Sequence, residues 1–265
     1  MIVKRSLWCV AAMLVTVSGM RAVRSADAAR AGDVDAAIER GNESYARGHL
    51  REALVAYQGA QAQAGDHYGA LVGLARVESE LGEGAKDEER RRLIAAAVEH
   101  ARAAVKAAPE EAIAHVWLAV SLRQQTEMEG PKTRAGLWRE IKSELDRAIG
   151  LDGGIARAYL ERGRWNRRLA TRGLWERTVS RVLLAKVPKG ASKDNAVRDL
   201  EKAVELAPDA IEARMELART YLDLERDADA RRELESALGI PANRPRDPGL
   251  QAEARELLEK LAKRG

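Results

Sequence analysis

The most uneven chemistry in this 265-residue chain lies between Arg157 and Lys189. This stretch holds ten basic residues against two acids, Glu161 and Glu176. Arginine suits carboxylates and phosphates because its planar guanidinium can donate two hydrogen bonds at once. The same cluster can instead pair with acidic side chains of neighbouring elements, which would make it structural. The sequence therefore predicts either an anion-binding surface or an internal ion-pair network in this stretch.

Residue types that carry catalysis or bind metals form no recognisable motif. The four histidines are scattered, and none is spaced with another histidine or a carboxylate as metal ligands on one helix face. Gly190–Lys193 lacks the upstream glycine of a phosphate-binding loop and is better interpreted as a helix start capped by Ser192. We therefore expect no catalytic residues, no cofactor and no metal.

Four tryptophans stand out in a chain with only 4 % aromatic residues: Trp117, Trp138, Trp165 and Trp175. Large rings dominate protein cores, so packing is the favoured interpretation. The alternative is that one or two of them line a ligand groove or touch a membrane interface.

The N-terminal segment differs in composition from the rest of the chain. Lys4 and Arg5 precede an apolar run over Leu7–Met20, and small residues follow around Ser25 and Ala28. This order predicts a secretory signal peptide over residues 1–28, cleaved after Ser25 or Ala28. An uncleaved membrane anchor and a mitochondrial transit peptide are the alternatives. Cleavage would remove the only cysteine of the chain. A signal peptide of this type predicts a periplasmic or cell-envelope location.

The leader also accounts for the basic charge balance. The whole chain has 45 basic and 41 acidic residues, and four of the bases precede Ala26 while no acid does. The remainder is balanced at 41 against 41. The basic isoelectric point is thus no indication of nucleic-acid binding, and we expect no nucleic-acid partner.

An internal repeat predicts the fold. Small residues recur in a first series, Gly41, Ala75, Ala119, Gly163 and Ala218, and in a second series, Ala60, Ala104, Ala148, Ala203 and Ala237. The distance from each second-series residue to the next first-series residue is always 15, whereas the distance within a unit is 19, 29, 29, 40 or 19. Each unit is therefore predicted to be a hairpin of helices A and B, with any additional residues between the two helices. Pro109 and Pro208 are expected to end two of the B helices.

The last unit, which starts at Ile211, resembles the tetratricopeptide (TPR) motif. It has a small residue, Ala218, at motif position 8, an aromatic residue, Tyr221, at position 11, and Ala230, Leu234 and Ala237 at positions 20, 24 and 27. The resemblance implies an all-α, TPR-like solenoid of about five helical hairpins over residues 33–263. A helix from about Pro248 to Lys263 would cap the stack, with Leu257, Leu258 and Leu261 facing in.

The middle of the chain resembles a more specific family. The similar segments are AHVWLAV (Ala114–Val120), EGPKTRAG (Glu129–Gly136), YLERGRW (Tyr159–Trp165), Leu174–Trp175, Pro188 and ELAPDA (Glu205–Ala210). They occur in the order found in the regulator of microtubule dynamics family, and the resemblance covers roughly residues 95 to 260. It implies a non-enzymatic TPR-like protein of a family often linked to organelle membranes, for which tethering and lipid binding have been proposed.

In proteins that this chain resembles, helix A lines the concave face. Counting from the small residue of each unit places the following residues there: Asn42, Tyr45, Arg76, Val116, Val120, Arg123, Gln124, Arg157, Leu160, Arg164, Arg167, Arg168, Met215, Arg219 and Asp223. The candidate ligand-binding residues are Arg123, Arg164, Arg167, Arg168 and Arg219. We expect an acidic peptide segment or an anionic headgroup to lie across them.

Two functions compete on this basis, and catalysis is the least expected. The favoured one is a non-catalytic scaffold that binds a protein or peptide partner, with acidic groups, in its concave groove. The alternative is a lipid- or membrane-surface binder that uses the basic segment and the tryptophans. A polar, charged groove favours the first function, whereas a continuous apolar groove favours the second.

Overall fold

The computed structural model describes residues 31–171 and 190–263, and every regular element in those ranges is a helix. In chain order the helices are α1 (31–46), α2 (Leu50–Ala64), α3 (Tyr68–Gly84), α4 (Asp87–Ala107), α5 (Ala112–Gln125), α6 (Pro131–Leu151), α7 (Ala156–Thr171), α8 (Lys193–Leu206), α9 (Ile211–Leu222), α10 (Asp227–Gly239) and α11 (Asp247–Ala262). The predicted all-α solenoid is confirmed.

The helices form five consecutive hairpins, in which α1, α3, α5, α7 and α9 are the A helices. Each B helix packs on its own A helix, and the first four also pack on the A helix of the next hairpin, whereas α10 packs on α11. The A helices from α3 to α9 also contact one another in sequence. The A helices therefore form the inner layer of the solenoid, and their free side is its concave face.

The small residues of the repeat lie where two helices approach closely. A Cβ atom at Gly41 would lie 2.5 Å from the Tyr57 ring, and one at Gly163 would lie 2.5 Å from Leu200 Cγ. Any larger residue at these two positions would force the hairpin apart, which would destabilise it. The predicted role of the small residues in helix packing is confirmed.

The additional residues of units two and three lengthen helices instead of forming long loops. Helices α4 and α6 have 21 residues each, whereas α10 has 13. Only residues 85–86 connect α3 to α4. A helix satisfies its own backbone hydrogen bonds, so an extension of this kind leaves few polar groups to be paired elsewhere. In unit four the connection includes residues 172–189, which lie outside the described ranges.

The predicted helix ends agree with the structure. Helices α4 and α8 each end two residues before a proline, Pro109 and Pro208. Helix α8 begins after Ser192, whose hydroxyl oxygen accepts a hydrogen bond from the Asn195 backbone N–H at 3.0 Å. This side-chain cap satisfies one of the free N–H groups of the first turn.

The tryptophans in the described ranges belong to the core. Trp117, Trp138 and Trp165 are buried in a cluster formed by residues of α3 to α7. The Trp165 indole N–H donates a hydrogen bond to the Trp138 carbonyl at 2.8 Å. The packing interpretation therefore holds for these three residues, while Trp175 lies outside the described ranges.

Helix α11 covers the last hairpin as the sequence predicts. Leu261 is buried against the second large core cluster, and Leu257 and Leu258 are partly buried there. Within residues 31–171 and 190–263, no helix is both long and apolar enough to cross a bilayer.

Candidate binding site on the concave face

Three successive A helices bring the predicted arginines together on the concave face. Arg123 lies on α5, Arg219 lies on α9, and α7 contributes Arg164, Arg167 and Arg168. The α7 residues are spaced by three and four positions, so their side chains leave the same face of the helix. The structure therefore brings the five predicted residues to one side of the molecule.

A cavity of about 310 Å³ opens among these helices. Its walls are formed by Glu83, Arg123, Trp138, Arg164, Trp165, Arg167, Arg168, Thr171, Glu216 and Arg246. Four of the five predicted residues thus line it. Arg219 lies beside it, where its guanidinium pairs with Glu253 at 2.6 Å and with Glu216 at 2.7 Å. With five arginines against two glutamates in its walls, the cavity suits an anionic group.

The arginines at the floor of the cavity are already paired with carboxylates. Arg164 lies within 3.3 Å of Glu161, Glu212 and Glu216. Arg123 approaches Glu161 at 2.9 Å and Glu83 at 3.2 Å. Arg167 pairs with Asp223 at 2.7 Å. Within the described ranges, the basic cluster therefore forms the internal ion-pair network that was one of its two interpretations.

The Glu161 carboxylate is the most enclosed member of this network, with a side chain only 1 % exposed. Burial opposes its ionisation, but the guanidiniums of Arg123, Arg164 and Arg157 outweigh this effect and lower the pKa of Glu161 to about 2. For Arg164, burial opposes the positive charge, and nearby carboxylates led by Glu212 overcome it and raise the pKa well above its ordinary value. The floor therefore remains fully ionised at neutral pH.

Arg168 differs from the other arginines of α7. Its side chain is 40 % exposed, and the carboxylate that it meets is Glu127, at 3.3 Å. Its guanidinium also lies 5.5 Å from the centre of the Trp138 ring, within the range of a cation–π contact. This cation stands at the rim of the cavity, where an incoming ligand can reach it.

The connection between α10 and α11 reaches across the concave face. The Arg246 side chain, which is 55 % exposed, pairs with Glu83 of α3 and lies 3.5 Å from Glu212 of α9. The second hairpin and the end of the chain thus meet over the cavity. Sequence reasoning missed Arg246, because no local pattern relates residues 163 positions apart.

Aromatic and polar side chains cover the concave face at the first two hairpins. The Arg76 guanidinium stacks on the Tyr45 ring at 3.7 Å and donates a hydrogen bond to the Tyr57 hydroxyl at 2.8 Å. The Tyr45 hydroxyl donates to Glu80, and burial together with this carboxylate raises the pKa of Tyr45. The predicted groove residues Asn42, Tyr45 and Arg76 therefore form one connected cluster.

Five predicted groove residues do not face the groove. Val116, Val120, Gln124, Leu160 and Met215 are all at most 4 % exposed and pack inside the solenoid. The prediction was wrong for these residues, since the close contacts between neighbouring A helices bury part of the face that a regular repeat would leave open.

The described part of the chain contains no group of three or more His, Cys, Asp or Glu side chains placed to hold a metal ion. His100 and His115 each pair with one carboxylate, Glu78 at 2.7 Å and Glu144 at 2.5 Å. Both pairs connect helices of the solenoid.

An inner layer of A helices, small residues at each helix crossing and a charged concave face together define a TPR-type solenoid. Solved structures agree with this class. A thermophilic TPR protein of Thermus thermophilus superposes with a TM-score of 0.62 and 22 % identity over 85 % of this chain and 98 % of that protein. Yeast Tom70 superposes with a TM-score of 0.53 and 15 % identity over 88 % of this chain and 41 % of its own. At these identities the likeness shows the fold alone.

The chain belongs to the family described as regulator of microtubule dynamics protein 1-3, which it matches over residues 34–262. It is 32 % identical to regulator of microtubule dynamics protein 3 of Xenopus laevis over 67 % of this chain. It is 29 % identical to regulator of microtubule dynamics protein 1 of Mus musculus over 71 % of this chain. The matched regions span 38 % and 62 % of those two relatives.

The predicted periplasmic or cell-envelope location is wrong. The relatives come from animals, whose cells have no periplasm, and their names refer to microtubule dynamics. The apolar leader alone led to that prediction. The predicted signal peptide, residues 1–28, lies outside the described ranges.

Proposed function

We propose that this protein is a non-catalytic scaffold that binds an acidic segment of a protein partner in the cavity of its concave face. The observation that carries the proposal is the cavity of about 310 Å³ with five arginines and two glutamates in its walls. The TPR-type fold supports a protein partner, because such solenoids present extended concave surfaces for binding. The names of the relatives, regulators of microtubule dynamics, also suit a protein that acts through other proteins.

The character of the groove favours a peptide over a lipid. Its walls are charged, and the two indoles among them, Trp138 and Trp165, are buried. Among the described residues, the large hydrophobic side chains that are exposed are Val55 and Ile113, and neither lines the cavity. A lipid-binding groove would need a continuous apolar wall for the acyl chains.

The predicted ligand-binding residues have different parts in this proposal. Arg168 and Arg246 are the cavity arginines with the most exposed side chains, and they contact the acidic segment directly. Arg123, Arg164 and Arg167 form the floor, whose ion pairs hold the walls of the cavity in place. Arg219 borders the floor and orients Glu216.

Fluorescence anisotropy with two labelled peptides tests this proposal. One peptide alternates glutamate and serine, and its counterpart carries glutamine in place of glutamate. We expect the glutamate peptide to bind and the glutamine peptide not to bind. The double variant Arg168→Gln/Arg246→Gln should weaken binding by about tenfold or more, because two charge-assisted hydrogen-bond donors are lost.

The matched control is Arg231→Gln/Arg255→Gln, which removes two exposed arginines of α10 and α11 that do not line the cavity. Equal binding of both peptides, or equal affinity of the two double variants, would overturn the proposal. Vesicles that contain phosphatidylserine form a third arm. Tight vesicle binding without peptide binding would assign the surface to a membrane instead.

A further inference from the structure

The carboxylate of Glu127 is surrounded by arginines from three helices. Glu127 lies in the short connection between α5 and α6, and its side chain is 33 % exposed. Arg90 of α4 approaches it at 2.5 Å, Arg168 of α7 at 3.3 Å and Arg123 of α5 at 3.8 Å. These distances place one monovalent anion inside a ring of three guanidinium groups.

Among the residues that the structure describes, this ring is short of negative charge. Arg123 has two further carboxylates, but within the described ranges Glu127 is the only carboxylate within ion-pair distance of Arg90 and of Arg168. The Nε atom of Arg90 is buried and has no acceptor among the described residues. One carboxylate therefore serves two cations fully and a third in part.

The charged residues beside Glu127 do not supply the missing negative charge. On one side of Glu127 lies a shallow depression of about 360 Å³ lined by Asp87, Arg90, Arg91, Glu127 and Met128. Asp87 and Arg91 bring one charge of each sign to that depression. On the other side lies the arginine-lined cavity of the proposed function, to which Arg123 and Arg168 also belong. Glu127 thus connects Arg90 of the depression to Arg168 of the cavity.

We infer that Glu127 occupies an anion site from which it is displaced by a phosphate group on the partner's peptide. This inference rests on the proposed function, and it adds that the acidic segment ends in a phosphorylated residue bound by Arg90, Arg123 and Arg168. A phosphate ester carries a charge of about −1.5 to −2 at neutral pH and offers three acceptor oxygens, which matches three guanidiniums better than one carboxylate does. The displaced Glu127 is partly exposed on a short connection and can be hydrated in place.

A peptide source for the phosphate fits the surroundings better than a lipid source. Neither Val55 nor Ile113, the large hydrophobic side chains exposed in the described ranges, contributes to the depression or to the cavity. A phosphate on a membrane lipid would need exposed apolar surface beside it to enter the bilayer interface.

The test compares an acidic peptide that carries one phosphothreonine with the same peptide carrying threonine, by fluorescence anisotropy, and adds inorganic phosphate as a small probe in calorimetry. The phosphopeptide should bind the wild-type protein about tenfold more tightly than its counterpart. Glu127→Gln should raise the affinity for the phosphopeptide and for inorganic phosphate by a further factor of about ten, because it removes a competing charge a few ångströms from the site. Arg90→Gln and Arg168→Gln should each abolish the preference for phosphate.

The matched control is Glu129→Gln, which removes a negative charge from the same connection without touching an ion pair of the described residues. The inference is overturned if Glu127→Gln and Glu129→Gln change the affinity for the phosphopeptide equally. It is also overturned if neither the wild type nor Glu127→Gln binds the phosphopeptide more tightly than its unphosphorylated counterpart. Binding of the unphosphorylated peptide that still depends on Arg168 and Arg246 would leave the proposed function intact in that case. If vesicles that contain phosphatidate displace inorganic phosphate while the phosphopeptide does not bind, the phosphate comes from a lipid and not from a peptide. Thermal melts of every variant separate loss of binding from loss of fold.

Discussion

Arg164 and Arg168 lie one helical turn apart on the same face of α7, and yet their surroundings are opposite in character. Arg164 is 14 % exposed and is held by three carboxylates, whereas Arg168 is 40 % exposed and shares one carboxylate with two other arginines. The comparison teaches that residue type and position in a repeat do not separate structural cations from binding cations. What separates them is the number of carboxylates that compensate each one.

The physical reason is the cost of removing charge from water. A buried ion is stable only when partners in good geometry replace its hydration, so the floor of the cavity needs Glu161, Glu212 and Glu216. An ion at the rim keeps part of its hydration and tolerates incomplete pairing. Incomplete pairing leaves attraction available for a ligand.

The largest expected effect comes from breaking the floor. Glu161→Gln leaves the charges of Arg123, Arg157 and Arg164 without their shared carboxylate. We expect it to lower the free energy of unfolding by roughly 3–5 kcal/mol, as for other buried pairs that lose one partner. Glu127→Gln at the rim should cost less than about 1 kcal/mol. Urea denaturation of both variants measures the difference, and equal losses would remove the distinction between floor and rim.

Acid should weaken the floor of the cavity through Glu161. The pKa of Glu161 in the folded protein, about 2, lies below its ordinary value of 4.5. The folded state therefore keeps this carboxylate ionised, and the stabilisation is present above pH 4.5 and is lost as the pH falls toward 2. This loss amounts to about 3 kcal/mol for this one group. The free energy of unfolding, measured by urea denaturation at a series of pH values in this range, should depend less on pH in Glu161→Gln than in the wild type. In Glu127→Gln its dependence on pH should be the same as in the wild type.

The same substitution, arginine to glutamine, at position 164 and at position 168 sharpens the comparison further. Arg164→Gln leaves Glu212 and Glu216 with fewer partners and should cost about 1.5–3 kcal/mol of stability, because it removes hydrogen bonds between charged groups. Arg168→Gln should leave the melting temperature nearly unchanged and weaken binding of the acidic peptide. Raising the ionic strength should weaken peptide binding to the wild type more than to Arg168→Gln, since exposed charges are screened. If Arg168→Gln unfolds, Arg168 is a structural cation like those of the floor and not a binding residue.

The sequence predicts the helical hairpins well, because each depends on residues close in the chain. The constant spacing of 15 places the crossing of each B helix with the next A helix, and the spacing of Arg164, Arg167 and Arg168 places them on one face. It does not predict which carboxylates compensate them. Glu127 meets Arg90 from 37 residues away, and Glu83 meets Arg246 from 163. Such contacts depend on the curvature of the solenoid, which sums small rotations over all units and leaves no local pattern.

The smallest effect is expected at the contact that joins the two ends of the concave face. Arg246 of the α10–α11 connection pairs with Glu83 of α3, but its side chain is 55 % exposed, so water competes for it. Arg246→Gln should therefore change the free energy of unfolding by less than about 1 kcal/mol. Its effect should instead be local, because residues 240–246 lose their anchor across the cavity. Hydrogen exchange of the backbone amides in that connection should become faster, while exchange in α5 and α7 stays as in the wild type. Glu253→Gln is the matched comparison, since it removes an ion pair of α11 with Arg219 that does not cross the cavity. Faster exchange in both variants would mean that the packing of α11 holds the connection in place. The Arg246–Glu83 ion pair would then not be what holds the connection across the cavity.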